Sequence, residues 1–92
     1  MEESPIKLLL VEDNPGDARL VAEMLKEGGV ACSLTHVSTL GAAIDHLSTH
    51  QDTELILLDL SLPDQTGLET LRRTLATPHS AVVVVMTGLG DD

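Results

Sequence analysis

Four side chains in this sequence have the types and placement to do chemistry together: Glu12, Asp13, Asp59 and Thr87. Each stands where an aliphatic run ends: Ile6–Val11 (IKLLLV), Leu55–Leu58 (LILL) and Ala81–Met86 (AVVVVM). Short apolar runs read as strands buried on both faces, although a buried helix segment has no distinguishing periodicity at that length. A lone aspartate at a strand exit is no more than a strand cap. Recurrence at several exits is what points to a site, because ligands of open parallel sheets bind at the C-terminal rim. Two unit charges about 4 Å apart repel by ~4 kcal/mol at an effective dielectric of ~20. Three carboxylates gathered at one rim must therefore take up a proton or share a cation. Hard oxygen ligands with room for water suit Mg²⁺ or Mn²⁺. Such an ion would attract a phosphate donor, and carboxylates are nucleophiles that form aspartyl-phosphates. Asp59 is the candidate nucleophile. The Thr87 hydroxyl would donate to a phosphoryl oxygen, with Gly88 leaving space beside it. A phosphoryl group adds about −1.5 to −2 charge, so the site would need its metal.

The elements that must position these groups follow in order. After the first strand, Asn14 suits a helix N-cap and Pro15 the first helical position. Asp17 places negative charge at the positive end of that helix. Ala18, Val21, Ala22 and Leu25 form its apolar stripe, and Gly28-Gly29 stop it. Val30, Cys32 and Leu34 alternate with polar or small residues, the pattern of an edge strand with one wetter side. Ser38 or Thr39 caps a second helix with Leu40, Ala43, Ile44 and Leu47 as its stripe. Leu60 to Gly67 reads as a loop, rich in turn-forming residues. Thr66-Gly67-Leu68-Glu69 fits a capping box for a third helix, with Leu68, Leu71 and Leu75 expected as its core face and Arg72-Arg73 in solvent. Thr77-Pro78 ends it.

Strands and helices alternate, which implies right-handed crossovers and an α/β fold, a parallel sheet with helices on both faces. The two most apolar early strands belong in the middle and the wetter one at the edge. That gives the spatial order 2-1-3-4, the beginning of a flavodoxin-like sheet, with its switch point between the strands that carry the acids.

Ninety-two residues allow one small domain, here residues 1–92, and 42% hydrophobic content without Phe, Tyr or Trp gives it an aliphatic core. The net charge of −10 argues against nucleic acid or an anionic membrane surface as the partner of this segment. No apolar run approaches the ~20 residues of a membrane span, and the acidic N-terminus lacks the order of a signal peptide. A cytoplasmic protein is the expectation. Cys32 is the only cysteine, which excludes an internal disulfide and a thiolate metal site.

Three pieces together carry a resemblance: Leu9-Leu10-Val11-Glu12-Asp13-Asn14, then Leu57-Leu58-Asp59-Leu60-Ser61-Leu62-Pro63-Asp64-Gln65-Thr66-Gly67, then Val85-Met86-Thr87-Gly88. In this order and spacing the chain resembles the receiver domain of two-component response regulators. The resemblance implies that Asp59 accepts a phosphoryl group from a histidine kinase or phosphotransfer protein in a Mg²⁺-dependent reaction. It implies Asp13, Asp59 and the backbone carbonyl of Ser61 as direct metal ligands, with Glu12 acting through metal-bound water. Thr87 would follow the phosphoryl group as the switch residue. Glu12 stands where the family often has Asp, and Leu62 where Met is frequent. Receivers continue through a fourth helix, a fifth strand carrying a phosphate-binding Lys beyond it, and a fifth helix. The chain is accordingly expected to be a truncated receiver, the N-terminal part of a longer regulator, and self-association through its exposed fourth-strand edge or the uncovered first-helix side of the sheet is expected.

Other readings fare worse on the residues. A Mg²⁺-dependent phosphohydrolase commonly wants an acid/base carboxylate two residues after the nucleophile, where this chain has Ser61. A receiver-like interaction module without phosphorylation has no need of all three acids and Thr87. No nucleophile elbow, Walker phosphate loop or dinucleotide fingerprint is present. His36, His46, His50 and His79 share no strand-end placement and read as incidental surface or edge histidines.

Overall fold

A computed structural model describes residues 4–86. The elements run β1 (Ile6–Val11), α1 (Pro15–Glu27), β2 (Cys32–Val37), α2 (Leu40–Thr49), β3 (Leu55–Asp59), β4 (Ser61–Leu62), β5 (Gln65–Thr66), α3 (Leu68–Ala76) and β6 (Val82–Met86). Four strands form one parallel sheet in the order β2-β1-β3-β6, the arrangement expected from the strand hydrophobicities.

Alternation along the strands divides the core into two layers. Leu9, Val11, Ile56 and Leu58 pack with Leu40, Ala43 and Leu47 of α2, and Leu71 of α3 lies against them. Leu8 and Leu10 pack on the other face with Ala18 and Val21 of α1. Cys32 and Leu34 of the edge strand lie half-buried against this second layer, while Val30 precedes the strand and is exposed.

The helix ends follow local chemistry. Asn14 Oδ1 accepts the N–H groups of Gly16 at 2.8 Å and Asp17 at 3.1 Å, which starts α1. Gly29 takes the left-handed φ of 75° beyond the helix end, a conformation that glycine adopts at no steric cost. Thr39, rather than Ser38, caps α2 through Ala42 N–H at 3.1 Å.

Two expectations for α3 fail. The capping box does not form: Gly67, with φ 75°, is the N-cap and no side chain caps the helix. The core face is also not Leu68-Leu71-Leu75. Thr70 and Thr74 are buried and Leu71 is half-buried, whereas Leu68 is 74% and Leu75 59% exposed. At 100° per residue the buried side lies about a quarter turn from the leucine stripe. The Thr74 hydroxyl donates to the Thr70 carbonyl at 2.9 Å, which removes most of the cost of burying it.

The loop after β3 is more ordered than its composition suggests. β4 and β5 pair as a short antiparallel hairpin, and Gly67 N–H closes it onto the Leu60 carbonyl at 2.8 Å. Asp64 at its turn reaches across to α2. Its two oxygens accept the N–H groups of Leu40 and Gly41, each at 2.9 Å. With Thr39 on Ala42, three N–H groups that the helix itself cannot satisfy find partners.

These two backbone hydrogen bonds hold the Asp64 carboxyl below its ordinary value of 3.8. The sign follows from linkage. A depressed folded-state pKa contributes stability that is complete above the unfolded value and is lost as pH falls through the folded one. Asp64→Ala is therefore expected to lower the thermal midpoint at neutral pH. The gap from the parent chain should close as the pH is taken down to about 3 and below. Melts of the two proteins across that range check it, and a gap that stays constant with pH would contradict it.

Candidate functional site

The register of β1 with β3 builds the site. Val11 pairs with Leu58, so the next residues, Glu12 and Asp59, leave the sheet side by side. Asp13 follows Glu12 before the α1 cap at Asn14. One carboxylate oxygen from each of Glu12, Asp13 and Asp59 lies within 4.8 Å of the others. This is the one such group of His, Cys, Asp or Glu ligand atoms among the described residues. The three acids that the sequence placed at strand exits are thus brought to one rim.

Their environments differ. Glu12 is 3% exposed, Asp59 is half-buried and Asp13 is in solvent. Asn14 N–H donates to Glu12 Oε2 at 3.1 Å and favours the charged form. Burial outweighs it, and a hydrogen bond to Asp59 together with the charges of Asp59 and Asp17 adds to the effect, so the Glu12 pKa is pushed up to about 7. A carboxyl with that pKa is about half protonated at pH 7, and a cation beside it would favour the charged form.

The backbone frames the cluster. Ser61 N–H donates to Asp59 Oδ1 at 2.9 Å and fixes the orientation of that carboxylate. Glu12 N–H donates to the Val37 carbonyl at 3.0 Å, and the Glu12 carbonyl accepts His36 Nε2–H at 2.7 Å. The three carboxylates are hard anionic oxygen donors, and Mg²⁺, which commonly takes one or two carboxylates and keeps several waters, finds enough of them here. The donor set fits Mg²⁺ or Mn²⁺.

Ser61 sits two residues beyond Asp59, at the start of the hairpin, and so beside the cluster. Thr87 and Gly88 lie outside the described residues; Met86, which precedes Thr87, pairs with Asp59 across β3 and β6. Sequence reasoning did not anticipate the roles of Asp64, the Ser61 N–H or His36. Asp64 carried a weak signal, being a turn-type residue in the loop after a strand-end acid. The His36 contact carried none, because it depends on the pairing of β1 with β2.

Comparison with known proteins agrees with this geometry. A family model, the response regulator receiver domain, matches residues 8–92. Response regulator Rcp1 of Synechocystis sp. is 37% identical over 101 aligned positions, covering 99% of this chain and 69% of its own length. The TorCAD operon transcriptional regulatory protein TorR of Escherichia coli is 34% identical over 88, covering 95% of this chain and 36% of its own. The sensor protein TorS of the same species is 35% identical, with 8% of its own length covered, so the chain spans a minor part of several relatives. Among solved structures, the bacteriophytochrome response regulator AtBRR superposes with a TM-score of 0.77 at 31% identity, covering 94% of this chain and 69% of that one. The phosphorylated cyanobacterial phytochrome response regulator RcpA gives 0.75 at 33%, covering 89% and 64%. Sheet order, acid cluster and relatives converge: the chain belongs to the response regulator receiver domain family.

Proposed function

We propose that this chain is the phosphoacceptor module of a cytoplasmic two-component phosphorelay, and that Asp59 takes a phosphoryl group from a histidine kinase or phosphotransfer protein. The observation that carries this reading is the meeting of Glu12, Asp13 and Asp59 within 4.8 Å at the C-terminal rim. The printed names of the relatives, a sensor and a transcriptional regulator among them, are in keeping with such a relay.

In this reading Asp13, Asp59 and the Ser61 carbonyl would hold Mg²⁺ or Mn²⁺, and Glu12 would act on it through water. When bound, the ion supplies positive charge that draws in the phosphoryl oxygens and offsets the charge developing on them. The Asp59 carboxylate attacks phosphorus in line; an O–P bond forms as the donor P–N bond breaks, and the electron pair leaves with the imidazole. Ser61 N–H on Asp59 Oδ1 limits the rotation of the nucleophile, so that it meets phosphorus already oriented. The Thr87 hydroxyl then donates to a phosphoryl oxygen and reports the modified state. The module carries signal rather than turning over substrate, and takes neither nucleic acid nor membrane as its partner.

Acetyl phosphate with Mg²⁺ tests the reading on the chain as it stands. The intact mass should rise by one phosphate in the parent chain and stay unchanged in Asp59→Asn or without the metal. An adduct of equal yield on Asp59→Asn would contradict it, as would multiple turnovers of a phosphomonoester.

The β6 edge extends the proposal. β6 pairs only with β3 among the described residues, and Val82, Val84 and Val85 are exposed, Val82 by 64%. An apolar edge with unpaired backbone groups invites another strand. The 92-residue chain should therefore self-associate as its concentration rises. Sedimentation showing a single monomer at high concentration would contradict this.

A further inference from the structure

At the end of the sheet opposite the acids, His46 in the last turn of α2 and His50 at its C-cap stand four residues apart. Their rings stack with centroids 4.1 Å apart and planes within 7°. They wall a cavity of about 160 Å³ whose other polar lining includes Lys7, Ser33, Thr35 and Asp52. As isolated residues in the sequence they carried no signal; the helix makes them a pair.

The hydrogen bonds assign the His50 tautomer. The Thr49 hydroxyl has one hydrogen, and the Asp45 and His46 carbonyls, at 3.3 and 3.2 Å, can only accept it. Thr49 Oγ1 therefore accepts from His50 Nδ1 at 2.8 Å, and the His46 carbonyl, 3.2 Å from the same nitrogen, accepts as well. His50 Nδ1 bears the hydrogen and Nε2 keeps its lone pair. An imidazole whose second nitrogen donates to a carbonyl or hydroxyl is oriented as metal-binding histidines are. The ring nitrogens of His46 have no hydrogen-bond partner among the described residues. Burial and the neighbouring His50 ring hold the His46 pKa below its ordinary 6.5, against the pull of Asp52, which favours the neutral ring.

We propose that His46 and His50 form a two-imidazole clamp for a borderline divalent cation of the Zn²⁺ class, with Asp52 as a nearby counter-charge and water in the remaining positions. Imidazole pairs at this helical spacing suit Zn²⁺ and its neighbours in the first transition row. Mg²⁺ prefers the oxygens of the acidic rim, so the two ends of the sheet select different ions. His50 is held by its Nδ1 hydrogen bonds, so convergence of the two lone pairs needs the His46 ring to turn out of the stack about χ2, a broad and soft torsion in histidine. No third His, Cys, Asp or Glu atom comes into ligating range among the described residues, which makes this an open, exchanging site and not a closed structural one.

The test is a ZnCl₂ titration of the full 92-residue chain in excess MgCl₂, followed by NMR of the imidazole rings and by calorimetry. One equivalent should move the His46 and His50 ring signals together and leave those of His36 and His79 in place. His46→Gln and His50→Gln should each weaken binding by about tenfold or more. Asp59→Asn should leave it unchanged. Because His50 is exposed, His50→Gln keeps the test open even if His46→Gln perturbs the fold. Zn²⁺ binding retained in His50→Gln, or lost in Asp59→Asn with the ring signals unmoved, would overturn the proposal.

Discussion

Like-charge repulsion at the sheet rim is the constraint to which the rest of this structure answers. Parallel pairing of β1 and β3 leaves Glu12 and Asp59 neighbours with Asp13 beside them, and no lysine or arginine pairs with any of the three among the described residues. Burial of Glu12 is the largest cause of its pKa near 7, and the charges of Asp59 and Asp17 add to it. Its folded-state pKa lies above the ordinary 4.5, so this group favours the folded state fully below about 4.5 and loses that contribution as pH rises through about 7. A divalent cation at the rim would remove the conflict by taking the place of the proton. A cation that bound these acids in the folded chain would therefore also stabilise the fold, by lifting the cost of their repulsion.

The scaffold isolates that cost from the rest of the molecule. Leu58 and Leu62 anchor the two ends of the Asp59 segment in the α2-side core. Between them Ser61 N–H holds the carboxylate, and beyond them Asp64 ties the hairpin turn to the first N–H groups of α2. Asp59 therefore projects from a segment fixed at both ends rather than from a loose loop, and an acid so held needs little reorganisation to meet a ligand.

Much of this was legible from residue types because one signal dominated. Unbroken aliphatic runs such as Leu55–Leu58 mark buried parallel strands, their relative wetness ordered the sheet, and the acids at their ends marked the rim. What escaped depended on tertiary choices that hydrophobicity alone does not make. α3 turned Thr70 and Thr74 inward and left Leu68 and Leu75 out; the Thr74 hydroxyl is satisfied within its own helix, whereas Thr70 Oγ1 is buried without a hydrogen-bond partner among the described residues. Gly67, with its positive φ, took the N-cap position that the capping-box pattern gave to Thr66. The Asp64 and His36 contacts join residues 23 or 24 apart and have no local signature.

The most direct test is to locate a bound ion. Crystals grown with Mn²⁺ at about pH 8, above the Glu12 pKa, would place the metal by its anomalous signal. The account predicts one peak among Asp13, Asp59 and the Ser61 carbonyl, with Glu12 reached through water. Carboxylates of these residues turned to different sides of the fold, with manganese elsewhere or absent, would contradict it.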